Sequence, residues 1–188
     1  LQQEAERLLE DHVGAVVALD PRNGEIRALA SAPDYDPNLF ATGIEQAAWS
    51  GLIRDPQKPL INRVIQGQYP PGSTFKVVSA LAALQEGVIT AQTRFHSPGY
   101  LAVYGKMFRC HQGGPHASVD LKQALALSCN VYFYNVGIRL EIERLSRYAK
   151  LLGLSRPTGI DLPHDVAGLF QDPAWKMRTQ KVRWFPAE

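Results

Sequence analysis

The chain has 188 residues, 45% of them hydrophobic, and carries 20 Lys and Arg against 18 Asp and Glu for a net charge of +2. That is apolar material for one buried domain or most of a larger one, and the charge argues neither for nor against an acidic partner. No apolar run reaches membrane length and no signal-peptide pattern is present. The basic residues Lys176, Arg178, Lys181 and Arg183 cluster late, flanked by Trp175 and Trp184 with no repeat following. They read as a solvated loop and not as a nucleic-acid site, so nucleic acid is excluded as a partner.

Residues 1–9 read as a helix that begins without a start methionine, as a cut-out from a longer polypeptide would. Val13 to Leu19 and Glu25 to Ala30 flank Asp20-Pro21-Arg22-Asn23-Gly24, the pattern of a β-hairpin closed at Asn-Gly. Residues 32–72 hold six prolines with little periodicity and are expected to form a long irregular excursion. An apolar helix follows from Ser73, with Lys76 as its one formal charge as far as Gln85, and its apolarity all the way round predicts burial. Residues 90–117 form a loop rich in Gly, His and aromatics. A helix over 118–127 with Ser118 as its cap, an interruption at Ser128-Cys129-Asn130, and a second helix over 131–152 ending at Gly153 complete the pattern. The expected division is thus 1–31, helix and hairpin; 32–72, irregular; 73–188, mainly helical.

The chemistry concentrates at the start of the buried helix. Ser73 and Lys76 are three apart, so hydroxyl and amine share a face and can hydrogen-bond. Burial disfavours an ammonium, and an uncharged amine can take the proton from a serine that attacks a carbonyl. The bland alternative is that Ser73 caps the helix and Lys76 snorkels to water. Ser128 and Asn130 lie between two helices, where a hydroxyl and an amide can be aimed at one point to relay a proton and hold a peptide bond, although both are also favoured capping residues.

Together these strings resemble one family. Tyr69-Pro70-Pro71-Gly72-Ser73-Thr74-Phe75-Lys76 contains its Ser-x-x-Lys motif and Ser128-Cys129-Asn130 its Ser-x-Asn motif; Ala18 to Ile26, Asp36-Pro37-Asn38, Asn62-Arg63 and Thr158 to Pro163 match as well. The chain resembles the transpeptidase domain of a class B penicillin-binding protein, most like the elongation-type branch, penicillin-binding protein 2. The resemblance implies an α+β fold of the penicillin-binding-protein and serine β-lactamase type, an antiparallel sheet with helices on both sides. It implies a D,D-transpeptidase in which Ser73 attacks peptidoglycan stem peptides and is acylated by β-lactams. Lys76 would be the base, Ser128 would move protons with it, and Asn130 would bind the donor backbone, with no cofactor required for catalysis. It further implies a membrane glycosyltransferase partner of the elongation machinery and a place on the outer side of the cell inner membrane. The family's third motif, Lys-Thr-Gly, is absent from the chain. The fold is therefore expected to be incomplete at its C-terminal end, and the isolated piece inactive.

A second signal lies behind the first. His96, Cys110, His116 and Cys129 are two imidazoles and two thiols, a set that suits tetrahedral zinc, although not at zinc-finger spacing. Some members similar to this chain hold a structural zinc in this loop and at the second motif, and the four residues fall where those ligands would. A Cys110–Cys129 disulfide is the competing expectation in an oxidising compartment, and His111 is an alternative ligand. His12 and His164 read as surface residues, and Trp49, Tyr100, Tyr104 and Phe108 as packing. Two other functions stay open: a serine β-lactamase or β-lactam sensor of the same fold, which would turn a penicillin over where a transpeptidase traps it, and a zinc-stabilised binding or scaffold piece.

Overall fold

The alternation of Val16 and Ala18 with their neighbours folds back on itself at Asn23-Gly24. Strand β1 (Gly14–Leu19) pairs antiparallel with β2 (Ile26–Ala32), Gly14 opposite Ala32 and Ala18 opposite Ala28, until a bulge sets Leu19 against Ile26. Gly24 closes the turn at φ 76°, a left-handed conformation that costs a residue without Cβ nothing. The computed structural model describes residues 1–110 and 114–185, so His111 lies outside the described residues. These residues form two units, 1–69 with 157–166, and 70–156 with residues from 167 onward.

In the first unit, helix α1 (Gln2–Leu9) covers the hairpin, and Ala5, Ala28 and Ala30 form a small buried core with Leu9, Val16 and Ala18 against it. Small residues on both sides let the helix approach closely enough for Gln2 to pair with the backbone of Leu29 in both directions, at 3.0 and 2.7 Å. The proline-rich excursion contains a 3-10 turn Pro37–Phe40, α2 (Gln46–Arg54) and α3 (Arg63–Gln66). Asp36 and Asn62 each accept a backbone N–H at the start of a helical turn, the capping role that suits them. Arg63 is buried and donates to the carbonyls of Gln57, Lys58 and Ile61, with its own N–H on Ser31. Trp49 packs edge-on to Phe40, as a packing aromatic should.

The second unit is built round a long helix, α6 (Asn130–Leu151), broken by an extended, left-handed residue at Glu141 (φ 64°, ψ 158°). Helix α4 (Lys76–Gln85), entered through the 3-10 turn Gly72–Phe75, packs on it with α5 (Leu121–Ala126). Ala80, Ala83, Ala124, Val131, Tyr132, Phe133 and Val136 make the core, and Tyr132 satisfies its buried hydroxyl on the carbonyl of Thr93 at 3.1 Å. The stretch 90–117 is more ordered than a loop. It holds β3 (Phe95–Ser97), which pairs with β6 (Ala117–Val119), and β4 (Tyr100–Val103), which pairs with β5 (Lys106–Arg109).

Three expectations are corrected here. Ser118 lies in β6, and α5 starts two residues later with Asp120 and Gln123 in a reciprocal capping box, because only Asp120 can reach the N–H of Gln123. Helix α4 buries one side only: Val77, Leu81 and Leu84 form an exposed stripe on the other. The late basic residues are not in a plain loop, since α7 (Pro173–Gln180) carries Lys176 and Arg178, with Asp172 as its cap. No helix among the described residues is long and apolar enough to cross a membrane.

Candidate active site

The turn that delivers Ser73 is closed by Thr74, whose N–H and hydroxyl both donate to the carbonyl of Pro71, at 3.3 and 2.6 Å. Ser73 is left exposed on the 3-10 turn, and Lys76 opens α4 one turn later, half-buried. Opposite, α5 ends at Ser128, which adopts φ 50°. Its N–H reaches Leu125 and that of Cys129 reaches Ala124, so a serine occupies the left-handed helix end normally given to glycine. Such strain costs on the order of 1 kcal/mol and is retained where the turn has a use. Here the turn reverses the chain so that Ser128 and Asn130 face Lys76.

The four side chains predicted for catalysis converge. Lys76 Nζ lies 3.1 Å from Ser73 Oγ, 2.9 Å from Ser128 Oγ, and 2.7 Å from both the carbonyl of Ser128 and Asn130 Oδ1. Ser128 Oγ donates to Ser73 Oγ at 2.9 Å, and Asn130 Nδ2 donates to the carbonyl of Arg109 at 3.2 Å, which fixes the amide from the β5 side. Burial lowers the Lys76 pKa from the ordinary lysine value, an effect that the nearby Cys110 and Cys129 partly oppose. The acceptor set explains what an uncharged Lys76 does. It has two N–H groups, and two of its four partners, the Ser128 carbonyl and Asn130 Oδ1, can only accept. Those two take the N–H groups and leave the lone pair for the hydroxyl of Ser73, while the Ser128 hydroxyl donates to Ser73 Oγ. That geometry would let the amine serve as a base toward the Ser73 hydroxyl.

Behind this site, Cys110, His116 and Cys129 place their ligand atoms within 4.8 Å of one another. Both thiols are free, buried and 3.9 Å apart, well beyond an S–S bond of about 2.05 Å. Two thiolates on one tetrahedral zinc at about 2.3 Å would lie about 3.8 Å apart, and a thiolate and an imidazole about 3.6 Å apart. Cys110 Sγ and His116 Nδ1 are 3.9 Å apart, so the trio could hold a metal ion of zinc's size.

His96 is not brought in. Alternation along β3 turns it to solvent, and its neighbour Ser97 takes the inward position, fully buried with Oγ 3.2 Å from Cys129 Sγ and 3.9 Å from Cys110 Sγ. Ser97 was missed by sequence reasoning. The signal was the period of two in Phe95-His96-Ser97, which sets Phe95, packed on Tyr132, and Ser97 on the same face. His12 and His164 are exposed, and Phe108 packs on Tyr134.

The chain is similar over its whole length to known proteins. The family described as penicillin binding protein transpeptidase domain matches residues 14–183. The peptidoglycan D,D-transpeptidase MrdA of Acinetobacter baumannii is 40% identical over 100% of this chain and 28% of that protein, so the chain spans under a third of this relative's length. The crystal structure of Pseudomonas aeruginosa PBP2 in complex with WCK 5153 superposes with a TM-score of 0.94 at 37% identity, over 99% of this chain and 43% of that one. The complex between PBP2 and MreC from Helicobacter pylori gives 0.94 at 34% identity, over 98% and 35%. With a serine, a lysine and a Ser-x-Asn turn joined as described, and with matches of this extent, the chain belongs to the penicillin-binding protein transpeptidase domain family.

Proposed function

We propose that the protein to which this chain belongs is a serine D,D-transpeptidase that crosslinks peptidoglycan stem peptides during cell-wall elongation and is a target of β-lactams. The observation that carries the reading is the contact of one lysine amine with two serine hydroxyls, Ser73 and Ser128, while its N–H groups are held by pure acceptors. Ser73 Oγ attacks the carbonyl between the two terminal D-alanines as Lys76 Nζ takes its proton. The proton passes through Ser128 Oγ, 2.9 Å from each partner, to the nitrogen of the leaving D-alanine, and the C–N bond breaks to leave an ester on Ser73. An amine of a neighbouring stem then attacks that ester, loses its proton to the Ser128–Lys76 pair, and Ser73 departs with a proton restored. Asn130, anchored on the Arg109 carbonyl, holds the donor backbone. The reaction needs no cofactor.

The relative's activity as a peptidoglycan D,D-transpeptidase and the H. pylori PBP2 complex with MreC support a place in the elongation machinery, with a membrane glycosyltransferase as partner and the outer side of the inner membrane as location. Cys110, His116 and Cys129 would hold a structural zinc. When bound, it supplies crosslinking and no acyl-transfer chemistry: it ties the end of β5 and the His116 loop to the residue between Ser128 and Asn130.

The test is intact mass of the whole protein to which the chain belongs, before and after incubation with benzylpenicillin. A stable adduct of one penicillin that disappears in Ser73→Ala is the expected result. An adduct that persists in Ser73→Ala, or one that turns over within minutes, would remove the transpeptidase reading, the latter in favour of a β-lactamase.

A further inference from the structure

We infer that Ser97 Oγ is the fourth ligand of the metal site, so that the site is made of two cysteines, one histidine and one serine and carries no net charge. The inference rests on the zinc reading above and deepens it. Ser97 has no exposed surface, and its hydroxyl faces both thiols, 3.2 Å from Cys129 Sγ and 3.9 Å from Cys110 Sγ. Oxygen and sulfur ligands of one tetrahedral zinc lie about 3.6 Å apart, between those two distances. The same residue fixes a third ligand's backbone: the Ser97 carbonyl accepts the N–H of His116 at 2.9 Å, and Ser97 is paired with Ala117 across the β3–β6 ladder. Strand pairing thus sets Ser97 and His116 together, while the turn at Ser128 brings Cys129.

Charge favours the same assignment. A dication with two thiolates, a neutral imidazole and a neutral hydroxyl sums to zero, and Cys110, Cys129 and Ser97 all lie in the packed interior, where an uncompensated charge is expensive. A carboxylate at position 97 would leave the buried site one charge negative. His96, the sequence-based candidate, belongs to the other face of β3 and would need the strand to slip by one residue, which would also expose Ser97 and unpack Phe95 from Tyr132.

Cobalt(II) substituted for zinc in the full chain reports both geometry and thiolate number, the latter through the intensity of sulfur-to-cobalt charge transfer. The wild-type chain is expected to show a tetrahedral spectrum with two thiolates. Ser97→Cys is expected to raise the charge-transfer intensity by half, as three thiolates replace two, and Ser97→Ala to weaken zinc binding about tenfold or more in a chelator competition. His96→Ala should change neither reading. A two-thiolate spectrum that Ser97→Cys leaves unaltered, or zinc affinity lost in His96→Ala and kept in Ser97→Ala, overturns the assignment while leaving the zinc reading intact. A wild-type chain that binds no cobalt or zinc overturns both. Ser97→Cys conserves size, so it answers the question even if Ser97→Ala does not fold.

Discussion

In the proposed reaction Lys76 is the residue on which the chemistry turns, and its partners define what a substitution removes. Replacing it with arginine keeps the charge and some hydrogen bonds but gives a group that does not lose its proton; replacing it with alanine removes both. Each is expected to slow acylation of Ser73 by benzylpenicillin by about 10²–10⁴-fold, the usual value of a positioned base. Near-normal acylation in Lys76→Arg would show that the lysine acts by charge alone. The pH dependence follows from the direction of its shift. Burial favours the uncharged amine, which is the active form, so the folded pKa lies below that of a free lysine and the base is available at lower pH. The acylation rate should therefore rise with pH along a limb centred below the free-lysine value of about 10.4. A limb at or above that value, followed by mass spectrometry under pseudo-first-order conditions, would refute the desolvated-base account.

At the scale of elements, the active site depends on how one short helix begins and ends. Helix α5 has six residues and leads straight into Ser128. Its start is held by Asp120, which accepts from the N–H of Gln123 at 2.9 Å while the Gln123 side chain accepts from the N–H of Asp120 at 3.1 Å. Asp120→Ala should cost about 1 kcal/mol in thermal or urea denaturation. It should also slow acylation, because a frayed α5 no longer holds the left-handed turn at Ser128. Loss of stability with acylation untouched would mean that α6 alone positions Ser128. The elements also show where sequence was enough. Ser73, Lys76, Ser128 and Asn130 were legible because each pair is local, three apart on a helix or two apart across a turn, and the long Tyr-Pro-Pro-Gly-Ser-Thr-Phe-Lys string carries the family's mark. Ser97 was not, since a three-residue strand gives a period-two signal too short to separate from a loop, and it gains meaning only from a partner strand about twenty residues on. The capping box was lost for a related reason: Ser118 is an equally good cap by residue type, and pairing with His96 in β6 is what denies it that role. The exposed stripe of Val77, Leu81 and Leu84 is the converse case, because composition predicts that a helix is apolar but not which of its sides this chain covers.

At the scale of the whole molecule, the two units are held by different forces, and each should respond to a different perturbation. The second has a continuous core into which Cys110 and Cys129 are built, so removing a bound metal leaves two thiols and an imidazole without their common partner at its centre. Chelation should therefore raise hydrogen exchange over residues 95–110 and 117–136 and leave 14–32 unchanged; uniform loosening would deny the site its local role. The first unit has a core of small residues and leans on the turn of its hairpin. There the bidentate Arg22 guanidinium, with the Arg22 N–H and Arg27 adding to it, holds the Asp20 carboxyl down at about 2. The unfolded chain would have it near about 3.9, so the folded hairpin prefers the carboxylate. Its contribution is whole above about pH 4 and fades as pH falls toward about 2, because the unfolded state then binds the proton that the folded state refuses. Asp20→Asn should lower stability at pH 7 and flatten this part of the acid limb, so that the difference between variant and wild type shrinks from pH 5 to pH 2. A difference that stays constant over that range would place the role of Asp20 in the shape of the turn and not in its charge.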